Sequence, residues 1–421
     1  MDRLSQLPEA LLLRILSLLP AKDVVSTMVL SKRWQFLWML VPKLVYDDSY
    51  QDIEYGRFSR FVDRSLTLHE AQVLDTLHLK LGKTCGTGDI GVWIRTVDKR
   101  CLRELIIEIG WSNNSSVVLP RSLYTCCRML VTLKLNNAVL VDVTCSFSFP
   151  SLKNLSLVSM KYPGDELLKI LLSSCPVLED LVVKRCLYDN VTMFTVRVSS
   201  LKCLVLQNLV LDDADVDAES RFVIDTPSLE CLDIADYGGE FCVIENNMTK
   251  IVDAHVCISY ANTHQLIGSI SSVKHLNLCI PSSKDAYPIG SVFHCLVRLT
   301  LCTCETEWLD LLMCVLRDSP KLRALKLIQD HPLRPKELRP CWNEPSAVPE
   351  CLLTSLETLQ WVKYEGTEEE KEVVAFILRS GSCLKKVTIS SKSTDRDKKF
   401  EMLKELSLSF RRSPTCQIAF D

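Results

Sequence analysis

The sequence predicts an α/β fold in which one short strand and one returning segment form each coil of a stacked domain. The first observation is the phrase Leu-x-x-Leu-x-Leu, with Val, Ile or Trp at some leucine positions. It begins at positions 74, 102, 130, 152, 178, 201, 229, 273, 296, 322, 356 and 384. The second observation is the period, because the first six steps are 28, 28, 22, 26, 23 and 28 residues. This spacing is typical of leucine-rich repeats. Single coils cannot bury their own apolar face, so we expect a solenoid with a curved parallel sheet on the concave side and helices on the convex side.

Composition narrows the class of partner. The 421 residues carry a formal net charge of -3, which gives no general attraction to nucleic acid or to an anionic membrane. No stretch approaches the roughly 18 to 20 apolar residues that span a bilayer. The first residues do not resemble a secretory signal, because Asp2 stands where positive charge belongs and Pro8, Glu9 and Arg14 interrupt the apolar run. We therefore expect an intracellular protein, in the nucleus or the cytoplasm or both, with neither nucleic acid nor membrane as partner.

Twenty cysteines are present, and an intracellular setting argues against disulfides. The sequence contains no Cys-x-x-Cys, and its tightest pairs are Cys126-Cys127 and Cys302-x-Cys304. Many cysteines sit one or two residues from a repeat leucine, where a thiol packs as a small hydrophobe. We expect packing roles, no metal and no cofactor.

Residues 1–46 do not follow the repeat. A dense apolar run between Pro8 and Pro20 predicts a first short helix, and a second is expected from about Lys22 to Leu30. Ser31 is a candidate N-cap for a third, in which Trp34 and Trp38 stand four residues apart. About 40 residues seldom form a sufficient core alone. The segment must therefore either bind a permanent partner or cap the first coil.

The motif residues of this segment resemble an F-box of the plant F-box/leucine-rich-repeat type. The resemblance rests on the uninterrupted stretch from Leu7-Pro8 to Asp23 and on the ending Leu-Ser-Lys-Arg-Trp at 30–34. It implies docking on a Skp-type adaptor and, through it, on the cullin and RING subunits of a ubiquitin ligase. Carried over by position, the adaptor contacts would be Leu7, Pro8, Ile15, Leu16, Leu19, Pro20, Asp23, Lys32, Arg33 and Trp34.

The remaining chain divides into three parts. Residues 47–70 are expected to hold a solvated turn and then a helix whose face is Phe58, Phe61, Val62 and Leu66. Residues 71–340 are the repeats, with helices expected at 165–172 and 308–316. The long step from 229 to 273 predicts a degenerate coil around 248–256.

Residues 341–421 change character and resemble the FBD domain that follows the repeats in many plant F-box proteins. A helix is expected from Glu368 to Leu378, ending near Gly381. Its acidic run, 368–372, has the composition of a metal site, but we interpret it as the favourable first turn of a helix.

No motif for catalysis is present. The sequence has no glycine-rich phosphate loop, no His-Glu-x-x-His and no Gly-x-Ser-x-Gly, and its seven histidines are scattered. No cysteine has a recognisable activating neighbour. We therefore predict a protein without enzymatic activity.

The concave face is the predicted target surface. Residues flanking the second leucine of each phrase point away from the core. They are His78, Lys80, Glu104, Glu108, Lys134, Asn136, Asn154, Asp180, Lys184, Gln207, Asp233, His275, Asn277, Arg298 and Lys326. Candidate target contacts among them are His78, Lys80, Glu104, Glu108, Lys134, Asp180, Lys184, Asp233, Arg298 and Lys326. Because both signs of charge occur, a protein or peptide of mixed charge fits this face better than nucleic acid. The alternative is that these residues only keep the sheet soluble.

The sequence thus predicts the substrate-recognition subunit of an SCF-type cullin-RING ubiquitin ligase, with an unknown protein target. Two alternatives stay open. One is a protein-binding scaffold that does not assemble a ligase. The other is a small-molecule sensor, for which only the stretches 229–273 and 327–356 offer spare length.

Overall fold

The computed structural model describes residues 6–48, 55–82, 86–110, 117–142, 147–186, 189–208, 220–237, 239–259, 263–281, 287, 293–304, 308–329, 342 and 344–420. The chain forms two compact units, Met1–Leu201 and Lys202–Asp421. Part of the turn expected at the start of 47–70, and parts of the stretches 229–273 and 327–356, lie outside the described residues. Of the described helices, none is long and apolar enough to cross a membrane.

The first unit alternates helices and strands. Its helices are α1 (Glu9–Leu16), α2 (Ala21–Ser26), α3 (Tyr55–Leu68), α4 (Thr87–Asp98), α5 (Ser122–Thr125) and α6 (Asp165–Ser173). Its strands are β1 (Lys43–Asp47), β2 (Thr76–Leu81), β3 (Glu104–Ile109), β4 (Val117–Val118), β5 (Thr132–Asn136), β6 (Ala138–Val139), β7 (Asn154–Val158), β8 (Asp180–Lys184) and β9 (Met193–Arg197).

Six strands of this unit form a parallel sheet in the order β1-β2-β3-β5-β7-β8. The repeat leucines align across it, so that Leu77 pairs in register with Leu105 and Leu105 with Leu133. All three side chains are buried, and burial of each contributes about 1.5 to 3 kcal/mol of stabilising free energy. The parallel sheet predicted from the repeat is confirmed.

The N-terminal helices differ in part from expectation. Helices α1 and α2 are present, but the third helix expected from Ser31 is wrong. Residues 32–36 are turns, and Leu37–Leu40 is a 3-10 turn. Trp34, Leu37 and Trp38 still enter one core. Their i, i+3 and i+4 spacing is also that of one α-helix face, so the sequence pattern could not distinguish an α-helix from the successive turns that bury the same side chains here.

A strand that the sequence interpretation missed opens the sheet. β1 pairs with β2 and buries Leu44 and Tyr46 in line with Leu77 and Leu79. Val41, Leu44 and Tyr46 have the spacing of the repeat phrase, with tyrosine at its last position, which is the signal that could have identified this coil. Asp47, expected in a solvated turn, belongs to this strand.

Helix α3 confirms the helix expected before the first repeat. Val62 and Leu66 are fully buried, while Phe61 packs edge-on against Tyr46 with ring centroids 5.9 Å apart. The Nε1 of Trp93 in α4 donates a hydrogen bond to Oδ1 of Asp63 at 2.6 Å. The helix therefore joins the first strand to the first repeat helix.

A buried histidine ties these elements together. Nη1 of Arg100 lies 2.9 Å from Nδ1 of His69 and must be the donor, so the ring proton sits on Nε2. Nε2 in turn donates to the carbonyl of Val41 at 2.9 Å. A second nitrogen of Arg100 donates to the carbonyl of Leu66 at 2.9 Å. Burial first, and then the nearby Arg100 charge, lower the His69 pKa to about 4 despite the Val41 bond.

The second unit continues the same architecture. Its helices are α7 (His264–Ser269), α8 (Trp308–Arg317), α9 (Glu350–Thr354), α10 (Glu368–Ser380) and α11 (Arg396–Leu408). Its strands are β10 (Cys203–Asn208), β11 (Ser220–Asp225), β12 (Cys231–Asp236), β13 (Gly239–Ile244), β14 (Asp253–Ile258), β15 (His275–Cys279), β16 (Arg298–Cys302), β17 (Ala324–Ile328), β18 (Thr358–Tyr364), β19 (Lys386–Ser391) and β20 (Gln417–Phe420).

Nine parallel strands run through this unit in the order β10-β12-β14-β15-β16-β17-β18-β19-β20. Strand β14 is the degenerate coil expected in the long step, with Ala254 and Val256 in the leucine positions. The C-terminal region, residues 344–420, adds β18, β19 and β20 to the same sheet, and Phe420 of β20 aligns with Ile389 of β19. The helices expected at 165–172, 308–316 and 368–378 are present as α6, α8 and α10. Helix α11 and strand β20 were not predicted.

Some returning segments are strands rather than helices. β4 pairs with β6 in the first unit, and β11 pairs with β13 in the second. Their sequences are rich in β-branched and aromatic residues, which favour extended backbone over helix.

Candidate partner-binding surface

The N-terminal segment is built around a closed core. Leu12 and Leu16 of α1, Val24 of α2 and the two tryptophans, Trp34 and Trp38, form one buried cluster with Leu37 and Val41. Nη2 of Arg33 donates to the carbonyl of Leu7 at 2.6 Å, which fastens the chain before α1 to the turn after α2. The core determines which face of α1 and of α2 is exposed.

The outside of this segment carries an unusual density of apolar side chains. Eight large ones are exposed within residues 11–36, and we call them the N-terminal apolar surface: Leu11, Ile15, Leu18, Leu19, Met28, Val29, Leu30 and Phe36. Leu18 and Val29 are 82% and 83% exposed. Contiguous apolar surface of this kind usually marks a site of interaction with another macromolecule.

The residues predicted to contact an adaptor divide into two groups. Exposed or half-buried residues are Leu7, Pro8, Ile15, Leu19, Pro20, Asp23, Lys32 and Arg33. Leu16 and Trp34 are 1% and 5% exposed, so we withdraw them as contacts; they hold the core beneath the surface. The exposed Leu18, Val29, Leu30 and Phe36 were missed, because the helical pattern alone did not show which side of each short helix the core would take.

A cavity of about 420 Å³ lies between α2, β1 and α3. Pro20 and Asp23 line its rim together with Tyr46, Arg57 and Phe58. Two of the predicted contacts therefore border a recess rather than a flat surface.

The side chains opposite the repeat leucines form what we call the open face of each sheet. In the first unit, charged side chains of β1, β2, β3 and β5 pair across neighbouring strands. The Nε2 of His78 lies 3.1 Å from Oε1 of Glu108, and the Nζ of Lys134 lies 3.5 Å from Oε1 of Glu104. Lys80 pairs with Asp47 of β1 at 3.6 Å. Burial lowers the pKa of His78, although Glu108 acts in the opposite direction.

The open face of the second unit carries two histidine–aspartate contacts. Nδ1 of His255 lies 3.0 Å from Oδ1 of Asp233, and Nδ1 of His275 lies 2.6 Å from Oδ1 of Asp253. Six of the ten predicted target contacts are thus engaged with neighbours on the sheet. The other four form no ion pair with any described residue, and they are Asp180, Lys184, Arg298 and Lys326.

One row of side chains on the open face of the second unit is buried rather than exposed. Ala235, Cys257 and Cys279 are register neighbours on successive strands and are buried with Cys302. The hydroxyl of Tyr237 lies 3.0 Å from Sγ of Cys257. Hydrogen bonds with the thiols of Cys257 and Cys302, and then burial, raise the pKa of Cys279. These thiols act as small apolar side chains, and the described residues contain no group of His, Cys, Asp or Glu arranged to hold a metal ion.

Other buried thiols have the same character. Burial raises the pKa of Cys127, Cys175 and Cys351 to about 12 in each case. A thiol with so high a pKa is a poor nucleophile at neutral pH.

The acidic run of α10 forms a helix cap. Oε2 of Glu370 accepts hydrogen bonds from the backbone nitrogens of Glu365, Gly366 and Thr367 at 3.0, 2.7 and 3.2 Å. The Thr367 hydroxyl accepts from the Glu370 nitrogen at 3.3 Å, which completes a capping box. Burial raises the pKa of Glu370, although the three backbone bonds act in the opposite direction.

Comparison with known families agrees with this architecture. An F-box domain model matches residues 4–46, a model for the leucine-rich repeats of an FBD-associated F-box protein matches 90–256, and the FBD model matches 344–389. Fold and matches together define the class as F-box proteins with leucine-rich repeats.

Relatives in Arabidopsis thaliana identify the family. One named as a probable FBD-associated F-box protein is 83% identical over 424 residues, covering 100% of both chains. An F-box/FBD/LRR-repeat protein is 49% identical over 423 residues, covering 100% of this chain and 99% of its own. An FBD-associated F-box protein is 43% identical over 445 residues, covering 100% of both. This chain belongs to the FBD-associated F-box protein family.

Proposed function

We propose that this chain is the substrate-recognition subunit of an SCF-type cullin-RING ubiquitin ligase. Its F-box binds a Skp-type adaptor, which links it to the cullin and RING subunits, and its repeats and FBD bind a protein target. The chain itself has no catalytic role. It raises the effective concentration of the target near a ubiquitin-charged enzyme.

The N-terminal apolar surface is the observation that carries this proposal. The F-box already has a closed core, so Leu18, Val29 and Leu30 serve no purpose within that core. Leaving such side chains in water costs about 1.5 to 3 kcal/mol each relative to burial. A partner with a complementary apolar groove recovers this free energy, which supports adaptor docking over a simple capping role.

Adaptor docking can be tested with Leu18→Ser combined with Val29→Ser. Because both side chains are exposed, the variant should fold normally but lose roughly 3 to 5 kcal/mol of interface free energy, more than 100-fold in affinity. Co-purification with a co-expressed Skp-type adaptor measures the loss. A matched control is Val92→Ser with Met129→Ser, which also removes two exposed apolar side chains of the first unit. Undiminished capture of the adaptor by the F-box variant contradicts the proposal.

Target binding by the repeats can be tested at β8. Asp180→Lys with Lys184→Glu reverses two exposed side chains that have no ion-pair partner among the described residues. An interfacial charge that is left unpaired or repelled costs about 2 to 5 kcal/mol. We expect adaptor capture to persist while a target that crosses these strands is lost. Target capture that survives this variant but is lost on deletion of residues 341–421 assigns recognition to the FBD.

A further inference from the structure

Helix α11 of the FBD has one side packed on the protein. Leu406 is buried, and Sδ of Met402 accepts a hydrogen bond from the Ser391 hydroxyl at 3.6 Å. Met402 also covers Gly366, where an added Cβ would lie 2.8 Å from the methionine Cε. The Nζ of Lys371 pairs with Oε2 of Glu405 at 2.9 Å. These contacts fix the rotation of the helix about its axis.

The other side of α11 exposes large apolar residues. Phe400 is 63% exposed and Leu408 is 78% exposed, with Leu403 between them. At 100° per residue these three fall, with Lys404 and Ser407, within an arc of about 140°. Phe410, just beyond the helix, is 74% exposed. Because the packed side is fixed, this arc must face away from the sheet.

Positive charge surrounds these apolar residues. Residues 395–412 carry six Lys or Arg and four Asp or Glu, in a chain whose formal net charge is -3. Two of the acids are committed, since Asp395 caps α11 and Glu405 pairs with Lys371. Arg396, Lys404 and Arg412 form no ion pair with any described residue. The exposed arc therefore combines apolar anchors with two unpaired cations, Arg396 and Lys404, and one carboxylate, Asp397.

We propose that this arc is a docking surface for an acidic segment of the target protein, with apolar residues at helical spacing. The inference rests on the proposed function and extends it, because it names helix α11 as one surface of target recognition and gives the chemistry of the segment that binds there. Apolar residues of the target pack on Phe400 and Leu403, and its carboxylates pair with Arg396 and Lys404. This surface belongs to the second unit and the N-terminal apolar surface to the first, so different residues form the two.

An anionic membrane is the less suitable occupant. Helices that lie in a membrane interface have strongly basic polar faces. Here the exposed carboxylate of Asp397 lies within the arc and that of Glu401 borders it, and a lipid headgroup of the same sign would be repelled by them. A protein segment can place its acids beside Arg396 and Lys404 and avoid these two positions.

The test uses the full chain co-expressed with a Skp-type adaptor. The probe is a fluorescent peptide of about 18 residues, five helical turns, with Leu and Phe at helical spacing and Glu elsewhere. A scrambled peptide of the same composition is the reference. We expect the ordered peptide to bind with a micromolar Kd, to bind tighter than the scrambled one, and to weaken as salt is raised.

Two variants test the assignment. Phe400→Ser with Leu403→Ser should weaken peptide binding about tenfold or more, and Arg396→Glu with Lys404→Glu should do so and remove the salt dependence. The matched controls are Val348→Ser with Leu353→Ser, exposed apolar residues of the same unit, and Lys386→Glu on the open face. Both controls should bind as the parent does.

Several outcomes overturn the proposal. They are absence of peptide binding, equal binding to the variants, binding only to vesicles that contain phosphatidylserine, and self-association of the chain that Phe400→Ser abolishes. Adaptor co-purification is read in the same preparation. If the adaptor binds and the peptide does not, this inference fails while the proposed function stands; if the adaptor does not bind, the proposed function fails by itself.

Discussion

The buried His69 should make the stability of the first unit depend on pH. In the folded chain its Nδ1 accepts from Arg100 and its Nε2 donates to Val41, so the ring has no room for a second proton. Protonation of Nδ1 would replace its hydrogen bond from Arg100 with repulsion between two N–H groups that both carry positive charge. The contacts that join the F-box to the first repeat are therefore strongest when this ring is neutral.

The magnitude follows from the two pKa values of His69. The folded value is about 4 and the ordinary value is 6.5. Since the folded pKa is the lower one, the stabilisation is fully present above pH 6.5 and is lost as pH falls toward 4. Linkage gives a loss of about 2 kcal/mol between pH 7 and pH 5, where few carboxylates have yet titrated.

Urea unfolding of the parent and of His69→Gln at several pH values measures the effect. Glutamine cannot titrate, so the variant should be less stable at pH 7 and should lose about 2 kcal/mol less than the parent on going to pH 5. His264→Gln, at an exposed histidine, serves as control and should follow the parent. Parallel curves for the parent and His69→Gln would refute the reasoning.

Three further outcomes are expected. Gly366→Ala should destabilise the second unit by about 1 to 3 kcal/mol in thermal unfolding, because φ is +76° and the new Cβ would meet Met402 of α11. Gly268→Ala in α7 is the control. No described atom lies within 4 Å of its new Cβ, so it should be neutral or stabilising by up to about 1 kcal/mol. Glu370→Ala should cost about 2 to 3 kcal/mol and Glu370→Gln clearly less, since the amide keeps one acceptor oxygen for the three backbone donors; equal losses would show that the cap is not what matters. In native protein at pH 8, iodoacetamide should label the exposed Cys101 and spare Cys351, whose pKa is raised to about 12; mass spectrometry showing equal labelling would contradict the buried, unreactive assignment.

The repeat phrase by itself determined the sheet. The Leu-x-x-Leu-x-Leu phrase recurs mostly in steps of 22 to 28 residues and predicted a parallel sheet, because stacked coils bury its leucines. In the structure Leu77, Leu105 and Leu133 align in register across that sheet. The same logic located the degenerate coil at β14, where small or branched residues replace leucine. Missing the β1 coil had a simple cause, since Tyr46 takes the place of the last leucine.

The candidate surfaces were predicted only in part. The sequence indicated that the N-terminal segment has more apolar residues than its core can hold. It did not show that Leu16 and Trp34 belong to that core while Leu18 and Val29 lie outside it. Short helices permit several rotations, and only packing against neighbouring elements selects one.

The tertiary structure also decided which polar residues are available to a partner. Lys80 and Asp47 are 33 positions apart in the chain and meet because two parallel strands bring them together. The local sequence cannot predict such a pair, because the register of the two strands determines which side chains are neighbours. For the same reason, the exposed arc of α11 is determined by the packing of Met402 and Leu406 on the protein and not by the local sequence. Hydrophobic periodicity determined the fold, whereas long-range packing determined which side chains remain for binding.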